Sequence, residues 1–231
     1  MLWKYNTLAK PIVTFYDSVI VNIISKYVWN CDPSVHVGRY QEFINCKKDS
    51  THDQSCTNHV HLDIGPGSGY YLSESQKNTN TNFDLDLHLI DINEETLIST
   101  KKKFPSSHTT THNVFLKPFP YGCTFDTIAL NHVLHCVPGD QELMMDQMLG
   151  HLKSNMDDST VFFGSTVAGL VPTERHSMSA IALITFLQEL GIFHNQIDEE
   201  GMRDVLAKHF KRVETTCCGS EIGFVGRDPV F

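Results

Sequence analysis

Val60-His61-Leu62-Asp63-Ile64-Gly65-Pro66-Gly67-Ser68-Gly69 is the stretch on which the fold turns. Five residues with apolar side chains at alternate positions read as a short strand. Three glycines in the next five positions close it. Glycine lacks a Cβ, so the backbone there can turn tightly and come close to a ligand. The segment 70–76 that follows has helical character, so strand, glycine loop and helix open a βα unit.

The same alternation continues downstream. Strands are expected over 85–91, 109–114, 125–130 and 159–167, and helices over 93–104, 141–152, 173–190 and 198–209. Asn93 is placed to cap its helix, with Glu94 and Glu95 in the first turn where the dipole favours acids. Strands alternating with helices imply a parallel sheet covered on both faces. The last two strands, 210–217 and 221–226, are separated only by a few residues around Gly219 and must be antiparallel neighbours. The expected fold is therefore α/β: a Rossmann-like, doubly wound, mostly parallel seven-stranded sheet with a C-terminal antiparallel hairpin and an N-terminal helical cap.

Upstream of the loop, apolar residues at 12, 15, 16, 19, 20, 23, 24, 27 and 28 follow helical spacing, interrupted by Asp17, Asn22, Ser25 and Lys26. That is an amphipathic helix packed on a domain, not a membrane span. A short helix is expected over 37–43. Residues 45–58 hold two lysines, two aspartates and no large apolar residue, which reads as a polar insertion. A chain of 231 residues suits one domain: a cap over 1–44, the insertion over 45–58 and a core over 59–231.

The loop carries chemistry as well as a turn. Its spacing is G-x-G-x-G, not the G-x-G-x-x-G that seats a dinucleotide pyrophosphate on a helix N-terminus. Asp63, directly before Gly65, would repel a pyrophosphate and suit a ligand with a cationic amino group. Asp91 ends the second strand 22 residues after Gly69, where a carboxylate can accept both hydrogen bonds of a ribose diol. Asp91 also stands where a helix-capping acid would. Ile92, Val114 and Phe115 are placed either to line a nucleobase or to fill the core.

The segment His61-Leu62-Asp63-Ile64-Gly65-Pro66-Gly67-Ser68-Gly69-Tyr70 resembles the first motif of class I S-adenosylmethionine-dependent methyltransferases. More narrowly, Trp29-Asn30-Cys31, Val133-Leu134-His135-Cys136-Val137-Pro138-Gly139, Phe163-Gly164-Ser165-Thr166 and Gly191-Ile192-Phe193-His194-Asn195 occur in the order seen in small bacterial and fungal methyltransferases of secondary-metabolism type. The resemblance implies S-adenosylmethionine as cofactor, with Asp63, Gly65, Gly67, Gly69, Asp91, Ile92, Asn113, Val114 and Asn131 at its site. It also implies a small-molecule acceptor, methylated on oxygen in preference to nitrogen or carbon. Asn113 departs from the aspartate usual beside the adenine amino group, and the insertion at 45–58 is longer than the group's usual link.

Methyl transfer is an in-line displacement for which the protein supplies alignment and, for many acceptors, a base. Asn131, His132 and His135 follow the fourth strand, and the two histidines share one face of a helical turn. His135 is the first candidate for the base and His132 the second; either can instead hold the loop. Tyr16, Trp29, Phe186 and Phe193 are candidate walls for the acceptor, or core aromatics.

Net charge is −9, from 27 acids and 18 bases, which argues against a phosphate-backbone partner. Seven cysteines contain no Cys-x-x-Cys pair, so neither a disulfide framework nor a metal site is expected. With no secretory signal and no membrane span in the sequence, a cytoplasmic location is expected. Oligomeric state is left open. Three other readings compete: a cofactor-binding but catalytically silent scaffold; a nicotinamide oxidoreductase, which the loop spacing opposes; and a macromolecule methyltransferase, which would need a basic or peptide-binding groove and whose nucleic-acid version the charge opposes.

Overall fold

The computed structural model describes residues 17–44, 59–77, 85–120, 122–171 and 173–231. The expected insertion at 45–58, Tyr16 and the start of the cap lie outside them. Seven strands form one sheet in the order β3-β2-β1-β4-β5-β7-β6. They are β1 His59–Ile64, β2 Leu85–Asp91, β3 His108–Thr111, β4 Thr127–Asn131, β5 Val161–Val167, β6 Phe210–Cys218 and β7 Glu221–Pro229. The first five run parallel. β7 lies between β5 and β6 and is antiparallel to both, so the expected C-terminal hairpin is present.

The helices are α1 Asp17–Val28, α2 Ser34–Ile44, α3 Tyr70–Gln76, α4 Glu94–Lys103, α5 Gln141–Leu152, α6 Met178–Glu189 and α7 Glu199–Ala207. α1 is wound as a π-helix. Its last turn shows the wide spacing, with Trp29 N donating to Ile24 O at 2.9 Å.

Side chains alternate across the sheet and divide the core in two. Ile128, Leu130, Phe162, Ile222 and Phe224 enter one cluster with Met145, Leu149 and Leu206 of α5 and α7. Leu87, Leu89, Ala129, Phe163 and Val225 face the other way, against Tyr40, Phe43, Leu72 and Leu97 of α2, α3 and α4. Two-sided burial accounts for the continuous apolar runs Ile128-Ala129-Leu130 of β4 and Val161-Phe162-Phe163 of β5, whereas β1 and β2 alternate.

Several expected bounds move: the helix over 37–43 begins at Ser34, the strand over 159–167 at Val161, and the strand over 221–226 runs on to Pro229; two further shifts have clear local reasons. The third strand stops at Thr111 rather than 114: His112 N still donates to Asp91 O, but Asn113 Oδ1 then accepts from Phe115 N and turns the chain away. The expected helix over 173–190 is a 3₁₀ turn, Thr173–Arg175, followed by α6, which Ser177 caps by accepting from Ala180 N at 3.1 Å. No helix among the described residues is long and apolar enough to cross a membrane.

Candidate active site

Strand order reverses between β1 and β4, and a doubly wound sheet leaves a crevice at the carboxyl ends of such a pair. A cleft of about 280 Å³ opens there. The loop after β1 supplies Gly65, Pro66, Gly67 and Ser68, the end of β2 supplies Asp91 and Ile92, and the end of β4 supplies Asn131, His132 and Val133. Val21 of α1, Tyr40 of α2, Tyr70 and Tyr71 of α3 and Thr96 of α4 add to its wall, with Asp63 and Cys136. Tyr70 donates to Asn22 Oδ1 at 3.1 Å, which ties α1 over the cleft.

The loop needs its glycines. Gly65 has φ of +65°, and its N–H donates to Ile90 O at 2.7 Å. A Cβ at Gly65 would stand 2.4 Å from Val133 Cγ2. Gly69, at φ +70°, leads into α3, and a Cβ there would lie 2.9 Å from both Thr100 and Phe104 of the α4 end. Left-handed backbone and close packing thus coincide at both positions.

Asp63 is buried and held by a relay of side chains from three other elements. Tyr40 OH donates to Asp63 Oδ2 at 3.0 Å, Asn131 Nδ2 donates to Tyr40 Oη at 3.1 Å, and Ser165 OH donates to Asn131 Oδ1 at 2.9 Å. Burial pushes the Asp63 carboxyl up to about 7; the Tyr40 hydrogen bond opposes this and nearby Asp91 adds to it. Burial likewise raises Asp91 to about 6, against backbone donors at Asn93 and Ile92. Asn93 is the cap of α4, its Oδ1 accepting from Glu95 N at 3.0 Å, and Asp91 braces that cap by accepting from Asn93 N at 2.8 Å. Two carboxyls short of solvation in one cleft favour a ligand that brings positive charge and hydrogen-bond donors.

The two histidines separate. His132 lines the cleft and holds φ of +53°, a left-handed conformation uncommon outside glycine and found at strained, functional positions. Its N–H donates to Ser165 O at 2.8 Å. Burial lowers its pKa to about 4, so the ring is neutral near pH 7 and keeps one nitrogen lone pair. His135 is buried and does not line the cleft. Its Nδ1 accepts from Val167 N at 3.3 Å, and its ring packs on Phe193 with centroids 4.4 Å apart. With the Nδ1 lone pair engaged, the neutral ring carries its proton on Nε2, which is the arrangement of a donor.

Of the other residues singled out in the sequence, the structure brings Asp63, Gly65, Gly67, Asp91, Ile92 and Asn131 to the cleft, with Gly69 at the loop's end. Asn113 and Val114 are not in its wall: Asn113 holds the turn after β3, and Val114 is buried in the core cluster. Trp29 is buried and stacks on Phe193 at 6.2 Å, while Phe186 is 55% exposed on α6. The aromatics that do line the cleft, Tyr40, Tyr70 and Tyr71, were not singled out from the sequence as wall residues. Tyr70 and Tyr71 follow Gly69 directly, a signal that was legible; Tyr40 arrives from α2, before the glycine loop.

A family model described as a methyltransferase domain matches residues 41–182. The methyltransferase verB of Penicillium polonicum is 29% identical over 240 residues, covering 97% of this chain and 96% of that one. The demethylluteothin O-methyltransferase of Streptomyces thioluteus is 27% identical over 216 residues, covering 91% of this chain and 85% of its own. Among solved structures, the DhpI–SAH complex superposes with a TM-score of 0.60 at 10% identity, covering 94% of this chain and 92% of that one. That likeness is one of fold.

Proposed function

The chain belongs to the methyltransferase-domain family, and from that premise we propose that it uses S-adenosylmethionine to methylate a hydroxyl group of a small molecule. The observation that carries this reading is the meeting of the glycine loop, Asp63 and Asp91 in one cleft at the strand-order reversal. Asp91, at the end of β2, accepts from the ribose hydroxyls. Asp63, oriented by Tyr40, faces the cationic amino-acid end. Ile92 packs on the nucleoside. The sulfonium supplies the chemistry, and these residues supply alignment and charge.

Among the two histidines, His132 takes the acceptor proton, because it borders the cleft in neutral form. Preference for oxygen over nitrogen or carbon follows the relatives, one of which is named an O-methyltransferase. The net charge of −9 favours a small acceptor over nucleic acid. A cytoplasmic site of action belongs to the same reading: Cys31, Cys123, Cys136, Cys217 and Cys218 are all free thiols.

Turnover of methyl-labelled S-adenosylmethionine against a panel of phenols, enols and amines tests the proposal. Label transfer to hydroxyl compounds is expected. Binding of S-adenosylhomocysteine without transfer to any of them would favour the scaffold reading.

Asp91→Ala should weaken S-adenosylhomocysteine binding at least ~10-fold, about 1.4 kcal/mol, as measured by calorimetry. Affinity should also depend on pH. The ligand prefers ionised Asp63 and Asp91, whose free-state values lie at about 7 and about 6. Binding should therefore weaken as pH falls below 7, by about ten-fold per unit for each group below its own pKa. The unliganded protein shows the opposite sign: a carboxyl with a raised folded pKa binds protons that the unfolded chain releases. These two groups therefore reduce its stability as pH rises from about 4 to 7. A pH-independent Kd between 5 and 8 would contradict both assignments.

A further inference from the structure

Behind His132, away from the glycine loop, three residues distant in sequence meet. Cys31 lies between α1 and α2, His36 in the first turn of α2, and Glu221 at the start of β7. The β6–β7 turn is pressed onto the cap, since Ser220 N donates to Trp29 O at 2.8 Å and a Cβ at Gly219 would stand 2.0 Å from that same oxygen. That contact sets Glu221 beside Cys31. Cys31 and Glu221 are fully buried and His36 nearly so.

A carboxyl in such a place should be well satisfied. It is not. Glu221 Oε2 lies 2.6 Å from His36 Nε2, but Glu221 Oε1 and His36 Nδ1 are buried without a hydrogen-bond partner. Cys31 Sγ is 3.8 Å from His36 Nε2, and one donor atom from each of the three residues falls within 4.8 Å of the others. His132 Nε2, also buried and unpartnered, is 3.6 Å from Glu221 Oε2.

We propose that Cys31, His36 and Glu221 bind a divalent transition-metal ion, zinc by the chemistry of their donors. Thiolate, imidazole and carboxylate form a mixed set that zinc accepts at bond lengths of about 2.0–2.3 Å. Tetrahedral geometry then places donors about 3.3–3.8 Å apart. The 3.8 Å separation between Cys31 and His36 fits this directly. The 2.6 Å contact between His36 and Glu221 is a hydrogen bond that opens when the ion replaces its proton.

Charge points the same way. Counted with Cys31 as a thiol and one proton shared across the 2.6 Å contact between His36 and Glu221, the cluster without an ion carries no net charge. Binding one M²⁺ releases the Cys31 thiol proton and the proton shared by Glu221 and His36. Thiolate, carboxylate and dication again sum to zero, so no net charge is buried. His132 stays outside the ligand set. The ion would pin cap to hairpin immediately behind the cleft and beside His132.

The test uses the full chain, stripped with a chelator under reducing conditions and titrated with Zn²⁺ or Co²⁺. About one equivalent of zinc should be retained after desalting, with a raised thermal midpoint. Cobalt should give a thiolate charge-transfer band. Cys31→Ser should abolish that band and weaken zinc binding at least ~100-fold, the upper end of what even outer-sphere partners cost. His108→Ala controls for the more exposed cluster Asp86, His88 and His108 on the β2–β3 edge, and should leave binding unchanged. Wild-type protein that retains no zinc would overturn the proposal without any variant. So would zinc lost in His108→Ala but kept in Cys31→Ser.

Discussion

Gly65→Val should raise the Kd for S-adenosylhomocysteine by ~100-fold or more, leaving a folded protein. Three effects add. The residue holds φ of +65°, where a residue with a Cβ pays about 1–2 kcal/mol and a β-branched one more. Its Cβ would lie 2.4 Å from Val133 Cγ2, and Val133 is itself part of the cleft wall, next to His132. The loop would have to move, and it carries the N–H that bonds Ile90 O at the end of β2, one residue before Asp91. A shift there therefore disturbs both sides of the cofactor cleft. Since 1.4 kcal/mol is ten-fold in affinity, about 3 kcal/mol of combined strain and displacement gives the stated loss. Calorimetry beside far-ultraviolet circular dichroism checks it. An affinity within a few-fold of wild type would show that the loop does not seat the cofactor.

His132→Ala should lower kcat for a hydroxyl acceptor by about 10²–10⁴, the usual contribution of a positioned base, while cofactor affinity changes little. The two histidines after β4 have opposite surroundings. His135 spends its Nδ1 lone pair on Val167 N and lies outside the cleft wall, so His135→Ala should act mainly on stability. His132 borders the cleft and is held in a left-handed backbone conformation by its position after β4 and its N–H bond to Ser165 O. Its low pKa keeps it in the proton-accepting form across the neutral range. Steady-state kinetics on the two variants separates them: loss of kcat in His135→Ala but not in His132→Ala would reverse the assignment.

Much of this site was legible because its chemistry is local. Strand, glycine loop and helix are adjacent in sequence, and the acid ending β2 sits where the fold needs it. The helices at 70–76 and 141–152 and the strand at 85–91 match the observed bounds because their apolar spacing and flanking residues agree. Ser177 shows a signal that apolar spacing hid: the pattern runs on past it, but a serine cap restarts the helix. The relay that orients Asp63 was not legible. Tyr40, Asn131 and Ser165 come from a helix and two strands, and only the packed sheet makes them neighbours. The same holds for His36 and Glu221, 185 positions apart, which no motif spacing can connect.

The most direct test of the cofactor assignment is calorimetric titration of the wild-type protein with S-adenosylhomocysteine and, separately, with NAD. The account predicts one saturable site for S-adenosylhomocysteine and no heat with NAD, because the Asp63 carboxyl in the cleft wall would repel a pyrophosphate. Saturable binding of NAD with none of S-adenosylhomocysteine would contradict it.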